Sequence, residues 1–231
     1  MAESEDKNQN KEVSRRQFLK MAGAVAVGIG LGELPRVIWL DNGVAAIPAS
    51  EGYILVDTKK CQGCDTCMLA CSLVHEGKEN LSLARIQVMQ NPFEKFPFDL
   101  DINQCRQCTF PACVEACPTG ALHAEKKYGN VRLVDERKCI GCQRCVEACP
   151  QQPTRVLWNF EAKHSQKCDL CANAPYWKNH KGGPDGEQAC VKVCPVGAIK
   201  FTREIPTQTG DAGYKVNFRG EAWRALGWST D

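Results

Sequence analysis

The chain is 231 residues long, with 29 Lys and Arg against 27 Asp and Glu and a formal net charge of +2. That near balance, without any basic run, argues against nucleic acid as a partner, and no stretch beyond the N-terminal segment approaches the roughly 20 apolar residues of a membrane span. The one unusual feature of the composition is 16 cysteines.

At the N-terminus, Ser14-Arg15-Arg16-Gln17-Phe18-Leu19-Lys20 has the twin-arginine form, followed by a weakly apolar Gly- and Ala-rich stretch over residues 21–31. That stretch is too short to span a bilayer, and Glu33 and Arg36 interrupt any apolar continuation. Val44-Ala45-Ala46 offers small residues for cleavage. The alternative, a basic start to an ordinary apolar helix, accounts less well for an ordered export address. Residues 1–46 are therefore expected to be a twin-arginine signal peptide, with residues 47–231 exported already folded to the periplasm, or to the outer membrane face in an organism without one. Roughly 185 residues would remain, enough for one compact domain or two small fused modules. The end, Gly227-Trp228-Ser229-Thr230-Asp231, carries no apolar helix, so the chain is not expected to anchor itself.

In chain order, Tyr53-Ile54-Leu55-Val56 reads as a short buried strand entering the first cysteine group, Cys61, Cys64, Cys67 and Cys71. Residues 85–89 alternate as a strand leaving it. The second group is Cys105, Cys108, Cys113 and Cys117, with four residues between its second and third members. Strands over 121–125 and 131–134 then flank a turn-forming loop at 126–130. The third group is Cys139, Cys142, Cys145 and Cys149, followed by a strand over 155–159. The fourth, Cys168, Cys171, Cys190 and Cys194, is opened by an insertion over 172–189 and followed by a strand over 198–201. That insertion is polar and rich in turn residues, so it reads as a surface excursion, either a docking loop or a neutral one. Short helices are expected between the third and fourth cysteines of each group, and the segment over 207–231 is a tail. The motifs and their intervening hairpins form an internal repeat over 61–71, 105–117, 139–149 and 168–194.

No cysteine is left over. Cys139-Ile-Gly-Cys142-Gln-Arg-Cys145-Val-Glu-Ala-Cys149-Pro150 is the run C-x2-C-x2-C-x3-C-P that holds 4Fe–4S clusters. Three thiolates in one turn hold three corners of a cube, while the fourth, stopped by proline, points to a neighbouring cluster. Disulfides suit an exported chain, but a cysteine every third residue makes poor bridging geometry. Structural zinc takes paired C-x2-C knuckles a dozen or more residues apart. The expectation is four 4Fe–4S clusters whose ligation supplies much of the folding energy. Folding around cofactors before export would also protect these thiols from oxidation. Each cluster with four thiolates carries a charge of about −2, so four bring the mature chain to about −6. Lys59, Lys60, Arg106, Arg137, Lys138, Arg144, Lys167 and Lys192 stand beside the motifs and offset this, unless they are plain surface residues.

Nothing else reads as an active site, and no catalytic residue is assigned. His75, His123, His164 and His180 are scattered and suit surface or capping roles. Neither a G-x-G-x-x-G nor a G-x4-G-K-[ST] run is present. Trp158, Trp177, Trp223 and Trp228 read as packing residues, the last two against a partner.

The four motifs, in this order and with these departures, resemble the four-cluster iron–sulfur subunits of molybdopterin and tungstopterin oxidoreductases, over about residues 51–203. The resemblance implies an α+β fold of two nested bacterial-ferredoxin-like dicluster modules, with short strands, short helices and long loops. Carried onto this sequence, it implies one cluster on Cys61, Cys64, Cys67 and Cys194 and another on Cys139, Cys142, Cys145 and Cys117. A third would sit on Cys105, Cys108, Cys113 and Cys149, and the last on Cys168, Cys171, Cys190 and Cys71. Spacing alone leaves sequential pairing of the motifs open. The implied role is a non-catalytic electron conductor between a molybdopterin or tungstopterin catalytic subunit and a membrane quinone-reactive subunit or soluble electron carrier. An electron subunit of a periplasmic hydrogenase and a freestanding polyferredoxin are the rival readings.

Overall fold

The computed structural model describes residues 47–227. The signal over 1–46 with its cleavage site, and Trp228 in the tail, lie outside the described residues.

Helix length is set by the residue after each fourth cysteine. In chain order the helices are α1 (Thr66–Glu76), α2 (Ala112–Glu115), α3 (Arg144–Glu147), α4 (Ala189–Val193) and α5 (Glu221–Ala225). The first four begin beside the third cysteine of a group, as expected. Pro118, Pro150 and Pro195 come directly after Cys117, Cys149 and Cys194, and a proline denies the helix its next N–H. Ser72 stands at that position after Cys71, so α1 runs on to Glu76. It stops at Gly77, whose φ of 68° suits glycine and whose N–H bonds Leu73 O.

The strands are β1 (Tyr53–Val56), β2 (Gln87–Gln90), β3 (Leu100–Asn103), β4 (Leu122–Glu125), β5 (Val131–Val134), β6 (Val156–Asn159), β7 (His164–Lys167) and β8 (Ile199–Thr202). They pair antiparallel as β1–β8, β2–β3, β4–β5 and β6–β7. In the first pair Tyr53 faces Thr202 and Val56 faces Ile199, which joins the entry to the first cysteine group to the exit from the fourth. Helix α1 packs on α4, and α2 on α3. Two-stranded pairs are marginal on their own.

One apolar cluster gathers Ile54, Val56, Met68, Ile86, Ile102, Leu170 and Ile199, and another Leu122 and Val156 with Val134 and Val146. Cysteines belong to both, so the thiols are part of the core. β3 and β7 are strands that the sequence pattern does not reveal. In β7 the residues are His-Ser-Gln-Lys, yet Ser165, Gln166 and Lys167 are buried with polar partners. The tail is also more integrated than its position implies. Val56 exchanges main-chain bonds with Tyr214 and Val216, and buried Trp223 packs against Phe96 of its own chain, with ring centroids 6.2 Å apart.

Candidate metal centres

Three cavities are each ringed by four thiols. Cys71, Cys168, Cys171 and Cys190 line one, with Ile54, Ile86 and Leu170 as apolar wall. Cys105, Cys108, Cys113 and Cys149 line a second. Cys117, Cys139, Cys142 and Cys145 line a third. The remaining four also gather: burial pushes the Cys67 thiol up to about 12, and the neighbouring Cys61, Cys194 and Cys64 add to the effect. Each set draws three thiols from one motif and one from another. Among the described residues, no His, Cys, Asp or Glu side chains converge in threes as on a single ion.

Local backbone explains the convergence. Gly63 and Gly141, between the first two cysteines of their groups, have φ of 63° and 71°, which glycine adopts without steric cost. The fourth cysteine of every group accepts a main-chain N–H from the segment downstream of it. Arg85 N donates to Cys71 Sγ at 3.3 Å and Leu122 N to Cys117 Sγ at 3.4 Å. Arg155 N donates to Cys149 Sγ at 3.3 Å and Ala198 N to Cys194 Sγ at 3.2 Å. Burial pushes the thiols of Cys113 and Cys168 up to about 12 and that of Cys108 to about 11. Such thiols stay protonated at neutral pH unless a metal takes them as thiolates.

Charge is distributed unequally. Arg106, Arg132, Arg155 and Lys167 all line the second cavity, and all are buried. Arg132 donates from Nη1 to Asn130 O at 2.6 Å and from Nη2 to Cys108 O at 2.9 Å. Lys167 Nζ donates to Arg132 O at 2.6 Å and Cys168 O at 3.0 Å. Arg132 Nε and Arg155 Nε and Nη1 find no partner among the described residues, and neither does Arg85 Nε at the first cavity. A buried donor left unmade costs about 1–3 kcal/mol, and more when charged. Four thiols around a void, with guanidinium N–H groups of Arg132 and Arg155 left without a partner in its wall, fit a 4Fe–4S cluster of net negative charge.

His75 corrects the expectation of a surface or capping histidine. It is buried, with Nδ1 2.8 Å from Cys71 O and Nε2 2.9 Å from Asp169 Oδ1. Arg85 Nη1 donates to the other carboxylate oxygen at 2.9 Å. Burial opposes a charge on His75, but Asp169 overcomes it and raises the imidazole to about 9. Burial likewise works against the Asp169 carboxylate, yet His75 and Arg85 hold it well below the usual range. His123 and His180 do take local partners, Glu125 at 3.3 Å and Glu187 at 2.6 Å.

Of the eight basic residues read beside the motifs, Arg106 and Lys167 are buried at the second cavity, while Arg137, Lys138, Arg144 and Lys192 are exposed. Arg85, Arg132 and Arg155 are the cations that sequence reasoning missed. A signal existed in Val131-Arg132-Leu133-Val134, where an arginine interrupts an apolar strand. The insertion over 172–189 is also more than an excursion. Ala174, Gly183, Pro184 and Gln188 are buried, and Gly183 N bonds Leu170 O at 2.7 Å. A Cβ on Gly182 would stand 1.8 Å from Cys171 O, so this loop presses directly on a ligand turn.

Comparison with known proteins adds to this geometry. A 4Fe–4S dicluster domain matches residues 97–204, a 4Fe–4S binding domain residues 58–74, and a twin-arginine translocation signal sequence residues 12–32. The signal match makes the chain one addressed to the periplasm. The thiosulfate reductase electron transfer subunit PhsB of Salmonella typhi is 34% identical over 67% of this chain and 77% of that protein. The NADH-dependent phenylglyoxylate dehydrogenase subunit beta of Aromatoleum evansii is 34% identical over 68% of this chain, which spans only 32% of that protein. The hydrogenase-2 operon protein HybA of Escherichia coli O157:H7 is 32% identical over 83% of this chain and 63% of that protein. Among the described residues no helix is long and apolar enough to cross a membrane.

Proposed function

The chain belongs to the 4Fe–4S dicluster, iron–sulfur electron-transfer subunits of molybdopterin oxidoreductases, and from that footing we propose how it works: it conducts electrons between a pterin-bearing catalytic subunit and a membrane quinone-reactive subunit or soluble carrier. It performs no catalysis of its own. Residues 1–46 are its export signal and residues 47–231 its working part.

The working part is two nested dicluster modules carrying four 4Fe–4S clusters. One module has Cys61, Cys64, Cys67 and Cys194 beside Cys168, Cys171, Cys190 and Cys71. The other has Cys105, Cys108, Cys113 and Cys149 beside Cys139, Cys142, Cys145 and Cys117. The β1–β8 pairing and the α1–α4 packing support the first, and the α2–α3 packing the second. The single observation that carries the reading is the three-plus-one origin of the thiols around each cavity.

When bound, a 4Fe–4S cluster supplies a one-electron change of charge. The protein's part is to hold, shield and space. Four thiols per cavity commit every ligand position, which leaves none for substrate. Helix α1 links Cys67 to Cys71, α2 links Cys113 to Cys117, and Cys168 lies within the electrostatic reach of Cys105. The cavities thus succeed one another, and Cys64 and Cys142, the two exposed cysteines, mark the ends of the series.

Purification of the complex from its native membrane, followed by metal analysis, tests the partner. Molybdenum or tungsten in a co-purifying subunit supports the pterin partner. Nickel would replace it with the hydrogenase reading, for which the likeness to HybA speaks. Recovery of the chain with neither metal would leave a freestanding carrier.

A further inference from the structure

Reduction adds one negative charge to a cavity, so the charges fixed in its wall help decide which centre accepts the electron first. The described cavities differ sharply in that respect. At the second, Arg106 is paired with Asp211, but among the described residues Arg132, Arg155 and Lys167 have no carboxylate at ion-pair distance. At the first, Arg85 and His75 face Asp169 at 2.9 Å each and Arg85 also approaches Glu76 at 3.5 Å, so the cations there are largely offset. The third has no charged side chain in its lining, only Thr119, Gln143 and Ser165 as polar groups beside the thiols.

Hydrogen bonds to sulfur, another lever on potential, do not favour the second cavity over the third, so the fixed charges must outweigh them. At the second, Gln107 N and Arg155 N reach Cys105 and Cys149 at 3.5 and 3.3 Å. At the third, Leu122 N reaches Cys117 at 3.4 Å, Thr119 Oγ1 lies 3.8 Å from Cys117 Sγ and Ser165 Oγ lies 3.3 Å from Cys145 Sγ. Water near exposed Cys142 also favours the reduced form, but a charge fixed in a dry wall acts several-fold more strongly than one screened by water.

We propose that the buried cations Arg132, Arg155 and Lys167 make the cluster on Cys105, Cys108, Cys113 and Cys149 the highest in potential of these three. The cluster on Cys117, Cys139, Cys142 and Cys145 is the lowest, and potential therefore does not fall or rise steadily along the series. This ranking rests on the electron-transfer reading above. The three cations are positioning residues: they touch no substrate, and they act through the charge they hold beside the cluster.

The test is a potentiometric titration of the full holo-protein followed by electron paramagnetic resonance, with iron content measured on every sample. Arg155→Gln is expected to lower one of the two highest of the four steps by about tenfold in its reduction equilibrium, or about 59 mV for a one-electron couple. Arg155→Lys is expected to restore it, which a purely structural role would not do. Ile140→Arg places a cation at the exposed edge of the third cavity, where it cannot collapse the packing, and is expected to raise one of the two lowest steps by less than Arg155→Gln lowers its own, because water screens it. An Arg155→Gln that lowers neither of the two highest steps, or an Ile140→Arg shift that falls on one of them, overturns the ranking. Fewer than four cubane signals in the unmodified protein would instead overturn the four-cluster reading on which it stands.

Discussion

The imidazole of His75 bridges Cys71 O at 2.8 Å and Asp169 Oδ1 at 2.9 Å, so one buried side chain ties helix α1 to the turn that carries Cys168 and Cys171. The two segments lie far apart in sequence and supply the same cavity. Their junction is a charged network, with Arg85 on the second carboxylate oxygen, rather than an apolar contact.

Asp169→Asn should therefore be among the most damaging conservative changes outside the cysteines. It leaves Arg85 and His75 buried against a neutral amide, a loss of about 3–5 kcal/mol for a broken buried pair. Thermal loss of the visible iron–sulfur absorption measures it. A variant that bleaches at the same temperature as the parent would contradict the role given to the network.

The same pair sets a pH window. The Asp169 carboxyl is held below its ordinary value, so its contribution is present above about pH 4 and is lost as pH falls further. His75 is raised to about 9, so its contribution is complete below its ordinary value and is lost as pH rises through about 9. Resistance to thermal bleaching should peak between about pH 4 and 6.5 and fall on both sides. Asp169→Asn should flatten both limbs.

Ser72→Pro would give the first motif the proline that the second, third and fourth possess, yet it should destabilise. Ser72 lies within α1, where proline costs about 3 kcal/mol or more. It also removes a hydroxyl that donates to Leu69 O at 3.0 Å and accepts from Asn80 N at 3.1 Å. A melting temperature well below that of the parent is expected, with His75 no longer held against Asp169.

Gly182→Ala should act on one cluster rather than on the whole fold. The new Cβ meets Cys171 O and must displace the ligand turn. Iron content should fall by about four per chain, the complement of one cubane. Full iron content would show that the loop yields instead.

Removal of iron should unfold the protein. Every strand among the described residues has four residues, and thiols fill positions in both apolar clusters. Thiols raised to about 11 or 12 release protons when a metal takes them, so assembly should acidify a weakly buffered solution. A chelated sample that kept its circular dichroism and a sharp melt would contradict this dependence on metal.

Much of this was legible in the sequence because it is local. Cysteine spacing marks the ligand turns, proline marks where three helices stop, and apolar runs mark β1 and β5. What stayed hidden depends on distant partners. Lys167 and Gln166 sit in a strand of polar residues that is stable only because Arg132 O and Leu83 O accept from them. His75 looks like any surface histidine until Asp169 is brought beside it. Arg155 gains meaning only when Cys105, Cys108 and Cys113 close around the same void as Cys149.

Iron and acid-labile sulfide per chain, measured on protein purified without air, test the central claim most directly. Four closed cubanes require about sixteen of each. About eight of each, or iron bound without sulfide, would contradict a chain whose every cysteine belongs to an electron-carrying cluster.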